Sequence, residues 1–268
     1  MTLLHAFLLG IIQGLTEFIP VSSTAHLLIS QSILKIPADD AMFSFLVIVQ
    51  LGTIVSLIVF YWKDLLNLVQ AFFAKPFSTQ ENKLAWYIII ATIPALLAGY
   101  LLKDAVEALF KQPMLEASIR LFSAAILLTL AELLTKKNHA LSSMTWLDAL
   151  IVGLFQIIAV FPGASRSGST ISGGMFRGLD RPSAARFAFL MSVPVMLAAG
   201  GYEMLDVLKM PNLGGFLPLL AVGFVTAAVV GWFAIKWLIA YLSRRSLYVF
   251  AAYCAVVGAV VFTFYLLG

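Results

Sequence analysis

The sequence predicts an all-α integral membrane protein with six transmembrane helices and two re-entrant helical hairpins in an inverted-topology repeat. The observations behind this prediction are the composition, the placement of charge in the loops and a repeated polar break. Of the 268 residues, 62% are hydrophobic and 11% are charged. A soluble domain is about one quarter charged, so this chain cannot supply a solvated surface. Its apolar runs reach about twenty residues without alternation, which favours helical spans over barrel strands.

Six apolar segments are long enough to cross a bilayer: about 42–62, 84–102, 114–134, 186–205, 216–239 and 246–267. Four of the connecting loops are basic and contain Lys63, Lys75, Lys83, Lys136, Lys137, Arg177, Arg181, Arg186, Arg244 and Arg245. The other loops mix acidic and basic residues. Because positive charge accumulates in cytoplasmic loops, we expect the four basic loops in the cytoplasm and the mixed loops outside. The six spans then alternate in direction without conflict.

Other features of the composition narrow the class of protein. The chain has no long basic run, so we expect no nucleic acid among its partners. Cys254 is the only cysteine, which rules out an intramolecular disulfide or a cysteine-based metal site. The segment MTLLHAFLLG lacks the basic start of a signal peptide, and we expect it to remain in the mature protein.

Two further apolar stretches, 1–34 and 145–180, are each interrupted by a proline among small polar residues. We interpret each as a re-entrant hairpin that enters and leaves the membrane on one side. Non-helical backbone at membrane depth is tolerated only where protein or a water-filled cavity surrounds it. The two breaks are therefore expected to line a common interior site.

The two hairpins resemble each other in sequence. GIIQGLTEFIPVSS at 10–23 aligns with GLFQIIAVFPGAS at 153–165. The matched pairs are Gly10 with Gly153, Gln13 with Gln156, Phe18 with Phe161, Pro20 with Pro162 and Ser23 with Ser165, with one residue dropped before the prolines. The chain is thus a single membrane domain of two halves, 1–135 and 145–268. Because each half contains three spans, the halves face opposite ways across the membrane.

The breaks TEFIPVSSTAH (16–26) and FPGASRSGST (161–170) concentrate polar groups where a new helix should start. Serine and threonine there can cap a helix, whose free N–H groups and dipole then favour an anion. Arg166 is costly at an intramembrane tip, and its planar fork suits phosphate or carboxylate. An ion pair with Glu17 that only holds the hairpins together is the structural alternative.

The first break also supplies the groups that a reaction would need. Glu17 can act as a metal ligand, a general base or the counter-ion of Arg166, and Gln13 lies one helical turn before it. Gln13 either joins the same site or hydrogen-bonds a neighbour. If the second limb is helical, His26 shares a face with Ser22 and Ser23, which suits a histidine acting on a serine. Hydroxyls, a carboxylate and an arginine together are typical of phosphoester or phosphoanhydride cleavage.

The motifs QGLTEF (13–18), PVSSTAH (20–26), PGASRSGST (162–170) and ISGGM (171–175) resemble those of the undecaprenyl-diphosphate phosphatases of the bacitracin-resistance type. The resemblance covers essentially the whole chain. It implies a multi-pass enzyme of the bacterial inner membrane, with its active site facing the periplasm. There it would hydrolyse undecaprenyl diphosphate to undecaprenyl phosphate and inorganic phosphate, recycle the peptidoglycan lipid carrier and confer bacitracin resistance. The implied partners are a polyprenyl diphosphate and membrane lipids, with a homodimer as a candidate assembly.

The resemblance carries functional roles to four positions, namely Glu17, Ser23, His26 and Arg166. Six neighbouring side chains are expected to bind the substrate: Gln13, Ser22, Thr24, Ser165, Ser167 and Thr170. A divalent cation, Mg²⁺ or Ca²⁺, is implied, with Glu17 as its ligand. The position of Gln13 is often glutamate in the family, although glutamine also occurs, so a two-carboxylate metal site does not transfer to this chain. We expect Ser23 as the nucleophile, with His26 or an activated water as the alternative.

A lipid-phosphate transporter, or flippase, is the competing function, because inverted repeats and broken helices are typical of transporters. The pairing of His26 with Ser23 argues for an enzyme, since transport does not need it. A purely structural membrane scaffold would leave Glu17 and Arg166 unexplained.

Overall fold

A computed structural model describes residues 1–37, 39–102, 112–136, 139–159, 164–209 and 213–267, without the side chains of Asp40, Glu203 and Asp206. The described residues form eleven α-helices and one short 3₁₀ helix, Leu141–Ser143. The α-helices are α1 Leu3–Thr16, α2 Ser23–Ile33, α3 Asp40–Phe60, α4 Trp62–Phe72, α5 Gln80–Leu101, α6 Pro113–Leu134, α7 Trp146–Ile158, α8 Arg166–Phe176, α9 Arg181–Val207, α10 Leu213–Leu242 and α11 Tyr248–Leu267.

Six of these helices, α3, α5, α6, α9, α10 and α11, are long and apolar enough to cross a membrane. They coincide with the six predicted spans, so the prediction of an all-α membrane protein is confirmed. Large apolar side chains remain exposed on them, including Leu97, Ile126 and Phe233. Such a surface is unfavourable in water and suits contact with lipid tails.

The helices of the two predicted hairpins are short. α1 has 14 residues and α7 has 13, while α2 and α8 have 11 each. At 1.5 Å per residue the longest of them extends about 21 Å, less than the roughly 30 Å hydrocarbon core. None of the four therefore crosses a bilayer alone, which agrees with the re-entrant interpretation.

Helix packing follows the proposed repeat. α1 packs on α10 and α7 packs on α5, so each hairpin contacts the second span of the other half. The matched glycines lie at these contacts: a β-carbon at Gly10 would come within 2.8 Å of the Gly223 carbonyl oxygen, and one at Gly153 within 2.5 Å of the Ala91 carbonyl oxygen. The first spans α3 and α9 pack together, as do the third spans α6 and α11. This pairing of equivalent elements supports the inverted repeat.

The basic loops come together at one end of the helices. Arg186 donates to the Asp64 carboxylate of α4 at 2.9 Å. Arg181 binds Glu132, at the end of α6, through two hydrogen bonds of 2.7 Å. Glu132 also accepts the backbone N–H of Leu247 at 2.9 Å. The four segments that the charge pattern assigned to one side of the membrane therefore share one face of the molecule.

Helix α4 lies in a segment that the sequence analysis treated only as a basic loop. Leu68 is buried against the molecule, whereas Trp62 and Val69 are more than half exposed. The segment is amphipathic and has only 11 residues, so it contains no apolar run of twenty residues that would indicate a span. It packs against α5 and brings Asp64 to the basic face.

Candidate active site

Glu17 stands at the end of α1, where the apolar helix gives way to the first break. Its backbone N–H still bonds the Gln13 carbonyl oxygen at 3.0 Å, so the last turn of the helix fixes its position. The residue is 5% exposed, and the Gln13 amide nitrogen donates to carboxylate oxygen Oε2 at 2.8 Å. Gln13 therefore contacts Glu17 directly, which is compatible with both alternatives for its role.

Helix α2 starts with two serines that have different tasks. Ser22 caps the helix, because its hydroxyl accepts the Ala25 N–H, and its backbone has a φ of +68°. Ser23 is the first residue of α2, and its hydroxyl donates to Oε2 of Glu17 at 2.7 Å. The positive φ of Ser22 is strained for a residue with a β-carbon, and such strain concentrates at functional sites. The strained Ser22 turns the chain so that Ser23 meets Glu17.

Helix α8 brings the positive group from the second break. Ser165 caps the helix by accepting the Gly168 N–H at 3.2 Å, and Arg166 is its first residue. Nη2 of Arg166 forms an ion pair with Oε1 of Glu17. Its Nη1 is buried and bonds none of the described residues. The Thr170 hydroxyl donates to the Arg166 carbonyl oxygen at 2.8 Å, one turn along α8.

The two breaks align differently in the structure than in the sequence. The sequence match paired Ser23 with Ser165, three residues after each proline. The capping serines are instead Ser22 and Ser165, so the first helical residues are Ser23 and Arg166. The structural register of the repeat is therefore shifted by one residue here. Equivalent helix starts place a hydroxyl and a guanidinium on opposite oxygens of the same carboxylate, that of Glu17.

Glu17, Ser23 and Arg166 form what we call the Glu17 cluster. A cavity of about 800 Å³ opens at this cluster. Its polar lining consists chiefly of Glu17, Ser22, Ser23, Thr24, Ser165, Arg166 and Ser167, seven of the ten residues singled out in the sequence. Apolar side chains of α3, α5 and α9 form much of the remaining wall, among them Val47, Leu51, Ile54, Leu96, Val195 and Met196. The cavity thus joins a polar, charged end to an apolar region, a combination that suits an amphiphilic ligand.

The His26 ring contacts the Ser22 carbonyl and Tyr253, and not the Ser23 hydroxyl on which it was expected to act. Its Nδ1 lies 2.9 Å from the Ser22 carbonyl oxygen, and its Nε2 lies 2.8 Å from the Tyr253 hydroxyl. Because a carbonyl oxygen only accepts, Nδ1 carries the proton, and the neutral ring accepts the tyrosine hydroxyl at Nε2. The imidazole and phenol rings also stack at 5.7 Å. Glu17, rather than His26, is the group hydrogen-bonded to the Ser23 hydroxyl.

Three residues of this region escaped the sequence analysis. Arg120 of α6 is 5% exposed and lines the cavity, and a charged residue inside a predicted span was a signal for it. Gln156 also lines the cavity, and both of its amide atoms are buried without a partner among the described residues. Its match to Gln13 had pointed to it. Tyr253 had no signal, because it lies 227 residues from His26.

The oxygen donors near Glu17 fit a divalent cation that is shared with a phosphate ligand. Among the described residues, no three His, Cys, Asp or Glu side chains come together as a metal cage. Glu17 supplies one carboxylate, and the amide oxygen of Gln13 is buried without a hydrogen bond from any described group. Mg²⁺ commonly binds through one or two carboxylates, several waters and the phosphates of a substrate. A cation held by Glu17 and Gln13 agrees with that pattern.

The geometry described so far provides a hydroxyl hydrogen-bonded to a carboxylate, and an arginine beside a helix N-terminus, in one cavity. A family profile described as "Bacitracin resistance protein BacA" matches residues 6–260 of the sequence. The chain belongs to the BacA family. Every residue of the Glu17 cluster lies within the matched range, and so do all six spans except the last residues of α11.

Curated BacA relatives match over almost the whole chain. A protein of Anaeromyxobacter dehalogenans (strain 2CP-1) named undecaprenyl-diphosphatase is 41% identical over 270 residues, which cover 97% of this chain and 91% of the relative. Proteins of the same name from Caldicellulosiruptor bescii and Methanobrevibacter smithii are 39% and 36% identical. These matches cover 100% and 98% of this chain, and 99% and 97% of the relatives.

Proposed function

We propose that this protein hydrolyses undecaprenyl diphosphate to undecaprenyl phosphate and inorganic phosphate. One observation carries the proposal: the Glu17 carboxylate bonds the Ser23 hydroxyl through one oxygen and Arg166 through the other, at the polar end of a cavity. A nucleophile, a proton acceptor and an anion-binding group are thereby brought together. The activity named for the relatives needs this set of groups.

Arg166 and the N-terminus of α8 would bind the terminal phosphate. The guanidinium keeps Nη2 on Glu17, while Nη1 is the donor left for a phosphate oxygen. The first N–H groups of a helix point at such an anion, and the helix dipole favours its charge. Ser167, which is buried and lines the cavity, adds a hydroxyl beside them. These donors stabilise the charge that develops on the phosphate oxygens in the transition state.

Ser23 is the nucleophile in this proposal, and Glu17 is its base. As the Ser23 oxygen attacks the terminal phosphorus, its proton passes to Oε2 of Glu17, 2.7 Å away. The new oxygen–phosphorus bond forms while the anhydride bond breaks, and undecaprenyl phosphate leaves with the bridging oxygen. Water then attacks the phosphoserine, and its oxygen and protons stay with the phosphate. As the phosphorus–oxygen bond to Ser23 breaks, Glu17 returns its proton to the Ser23 oxygen, and inorganic phosphate is released. Direct attack by water, activated by Glu17, is the competing route.

His26 acts indirectly in this mechanism, in place of the base role first assigned to it. Its bond to the Ser22 carbonyl and its contact with Tyr253 hold the first turn of α2 against α11. Because Ser22 caps that turn, the histidine fixes the strained backbone that presents Ser23. His26 is therefore a positioning residue for the nucleophile.

A divalent cation, Mg²⁺ or Ca²⁺, would be held by Glu17 and the amide oxygen of Gln13. When bound, it would neutralise charge on the diphosphate oxygens. Gln13 contributes a neutral donor where a second carboxylate would add charge. We therefore expect weaker cation binding than in a site with two carboxylates.

The substrate's prenyl chain would lie along the apolar wall that α3, α5 and α9 provide. This wall belongs to the same cavity as the polar groups, so a ligand can contact both. Because the basic loops lie on one face, the positive-inside rule puts that face in the cytoplasm and the opening of the first hairpin outside. On this orientation the enzyme recycles the peptidoglycan carrier at the outer face of the inner membrane and lowers sensitivity to bacitracin.

Release of phosphate by the purified protein tests the activity directly. The protein in detergent is given undecaprenyl diphosphate with Mg²⁺, with Ca²⁺ or with chelator, and inorganic phosphate is measured. We expect release with a divalent cation and little release with chelator. Release that is unaffected by chelator would remove the cation from the proposal. A protein that moves a labelled polyprenyl phosphate across vesicles but releases no phosphate would be a transporter.

The orientation has a separate test. Single cysteines are introduced at Lys136, on the basic face, and at Lys35, after α2, in a Cys254→Ser background. A membrane-impermeant thiol reagent applied to intact cells should label position 35 and leave position 136 unlabelled. External labelling at position 136 would reverse the proposed topology.

A further inference from the structure

A second arginine, Arg120, lies in the same cavity as Arg166. It projects from the middle of α6 and is 5% exposed. Its Nη1 donates to the Ala164 carbonyl oxygen at 3.4 Å, directly before the cap residue Ser165. An arginine at this depth in a membrane is costly, and the mechanism proposed above makes no use of it. Because its side chain lines the cavity, it can meet a ligand there.

A buried carboxylate lies near Arg120 on the same helix. Glu116 lies one turn earlier on α6 and is also buried, so it supplies a nearby negative charge. The cavity is lined by Arg120 but not, among the described residues, by Glu116. A guanidinium has five N–H donors, so it can hold an anion while it keeps contacts with the protein. The bond of 3.4 Å to Ala164 is near the upper limit for a hydrogen bond and can yield to a charged acceptor.

We infer that Arg120 binds the phosphate that remains attached to the lipid, beside the terminal phosphate held by Arg166. This inference rests on the proposed function. Ala164, which Arg120 contacts, lies two residues before Arg166, so their Cα atoms are at most about 7.6 Å apart. The two phosphates of a diphosphate are themselves neighbours joined by one oxygen. Arg120 thus contacts the backbone segment from which Arg166 projects, and both side chains line the same cavity.

The arrangement assigns the two reaction products to different groups. Inorganic phosphate comes from the terminal position and is held by Arg166 and the start of α8. The lipid monophosphate keeps the inner phosphate, so its binding depends on Arg120. Removing Arg120 should then weaken the binding of the lipid product selectively, which loss of a merely structural contact would not do.

The test compares inhibition by two product analogues. Wild type and Arg120→Gln are assayed with farnesyl diphosphate, and inhibition by farnesyl monophosphate and by inorganic phosphate is measured. Loss of a charge-assisted hydrogen bond should raise the inhibition constant of farnesyl monophosphate about tenfold or more. The constant for inorganic phosphate should stay nearly unchanged, and KM should rise more than kcat falls. Arg120→Lys, which keeps the charge, should restore part of the affinity for the monophosphate.

Lys75→Gln is the matched control, because it removes one positive charge from an exposed loop. It should leave both inhibition constants unchanged. If Arg120→Gln raises the two constants together, or lowers kcat alone, Arg120 only supports the start of α8 through Ala164 and the inference is overturned. If Arg120→Gln does not fold, the Arg120→Lys protein still tests the inference, and an unchanged constant for farnesyl monophosphate overturns it.

A binding measurement separates this inference from the proposed function. Calorimetry with farnesyl monophosphate is run on Ser23→Ala and on the double variant Ser23→Ala/Arg120→Gln, so that no turnover is needed. Weaker binding by the double variant supports the role of Arg120 even if wild type releases no phosphate. Equal binding by both proteins overturns that role even if wild type is an active phosphatase.

Discussion

In the first hairpin the chain leaves α1 at Glu17 and enters α2 at Ser23, whereas the second hairpin enters α8 at Arg166. Both helices begin after a capping serine and converge on the same carboxylate. The residue that matches Glu17 in the second hairpin is the apolar Val160. In the proposed mechanism the two hairpins therefore have different roles: the first supplies the reacting groups, and the second supplies the anion-binding group.

The matched glutamines of the two hairpins also differ in their hydrogen bonds. Gln13 donates to Glu17, whereas both amide atoms of its counterpart Gln156 are buried without a partner among the described residues. Helix packing has diverged less, because Gly10 and Gly153 make equivalent close approaches to the other half. The two hairpins are therefore alike in these packing contacts and different in the side chains at the centre. Substitutions at paired positions should therefore have unequal effects at the centre and similar effects in the packing.

We expect the largest difference in activity between alanine variants of the two matched serines, Ser23 and Ser165. Ser23→Ala should lower kcat by about 10³-fold or more, because it removes the nucleophile, while substrate binding stays measurable. Ser165→Ala removes only a helix cap, worth about 1 kcal/mol. Phosphate release and a rapid acid quench with labelled substrate are the measurements, and the quench should trap a phosphoserine at position 23. If Ser23→Ala keeps more than about a tenth of the kcat, water is the nucleophile and Ser23 only orients the phosphate.

The next effect concerns the positive group of the second hairpin. Arg166→Lys should fail nearly as badly as Arg166→Ala, with kcat/KM reduced about 10²-fold or more. Lysine keeps the charge but cannot bond Glu17 and a phosphate at the same time through one planar fork. Steady-state kinetics on both variants check this. Near-normal activity of the lysine variant would show that Arg166 contributes only a point charge.

Alanine substitutions at the matched glycines of the two hairpins should lower the stability of the protein by similar amounts. Gly10→Ala and Gly153→Ala each force a β-carbon against backbone of the opposite half, and overpacking of this kind costs about 1–3 kcal/mol. Gly214→Ala is the control, since no atom of the described residues lies within 4 Å of the added carbon. Thermal unfolding in detergent gives the comparison. If only one of the two alanine substitutions lowers the stability, the hairpins do not pack equivalently and the two halves of the repeat differ in their packing.

The smallest effect tests the strained cap of the first hairpin. Ser22→Gly relieves the positive φ and keeps much of the capping preference, whereas Ser22→Ala keeps the strain and loses the cap. We expect the alanine variant to be less stable than the glycine variant by about 1 kcal/mol, and both to be milder than Ser23→Ala in activity. Unfolding curves measured in one detergent decide this. Equal stability of the two variants would show that the strain is relieved elsewhere.

The spans could be predicted from sequence because about twenty consecutive apolar residues have few alternatives to a membrane helix. Helix α4 could not, since its 11 residues fall below that length and its apolar side is narrow. The two interrupted stretches were predicted from prolines among hydroxyl residues, and the short helices found there have the expected positions. Re-entry into the membrane stays a prediction that their length supports.

The ion pair between Glu17 and Arg166 was one of the alternatives that the sequence left open, and the cost of unpaired charge in a membrane favoured it. The exact register of the two breaks did not follow from the sequence. One residue separates Pro20 from its capping serine and two separate Pro162 from its own. The unusual backbone of Ser22 belongs to the shorter connection. The contact of His26 with Tyr253 depends on how α2 meets α11, and no local pattern encodes it.

The ion pair between Glu17 and Arg166 also has a consequence for biosynthesis. The two residues are 149 positions apart in the chain, so Arg166 leaves the ribosome roughly 7 to 30 s after Glu17 at 5–20 residues per second. Throughout this interval the first half of the nascent protein holds a carboxyl group without its arginine. Gln13 is four residues away and is already made, so its amide can bond the carboxyl in the meantime. In the proposed mechanism the nascent chain is catalytically silent until its second half inserts, because only then does Arg166 reach Ser23 and Glu17.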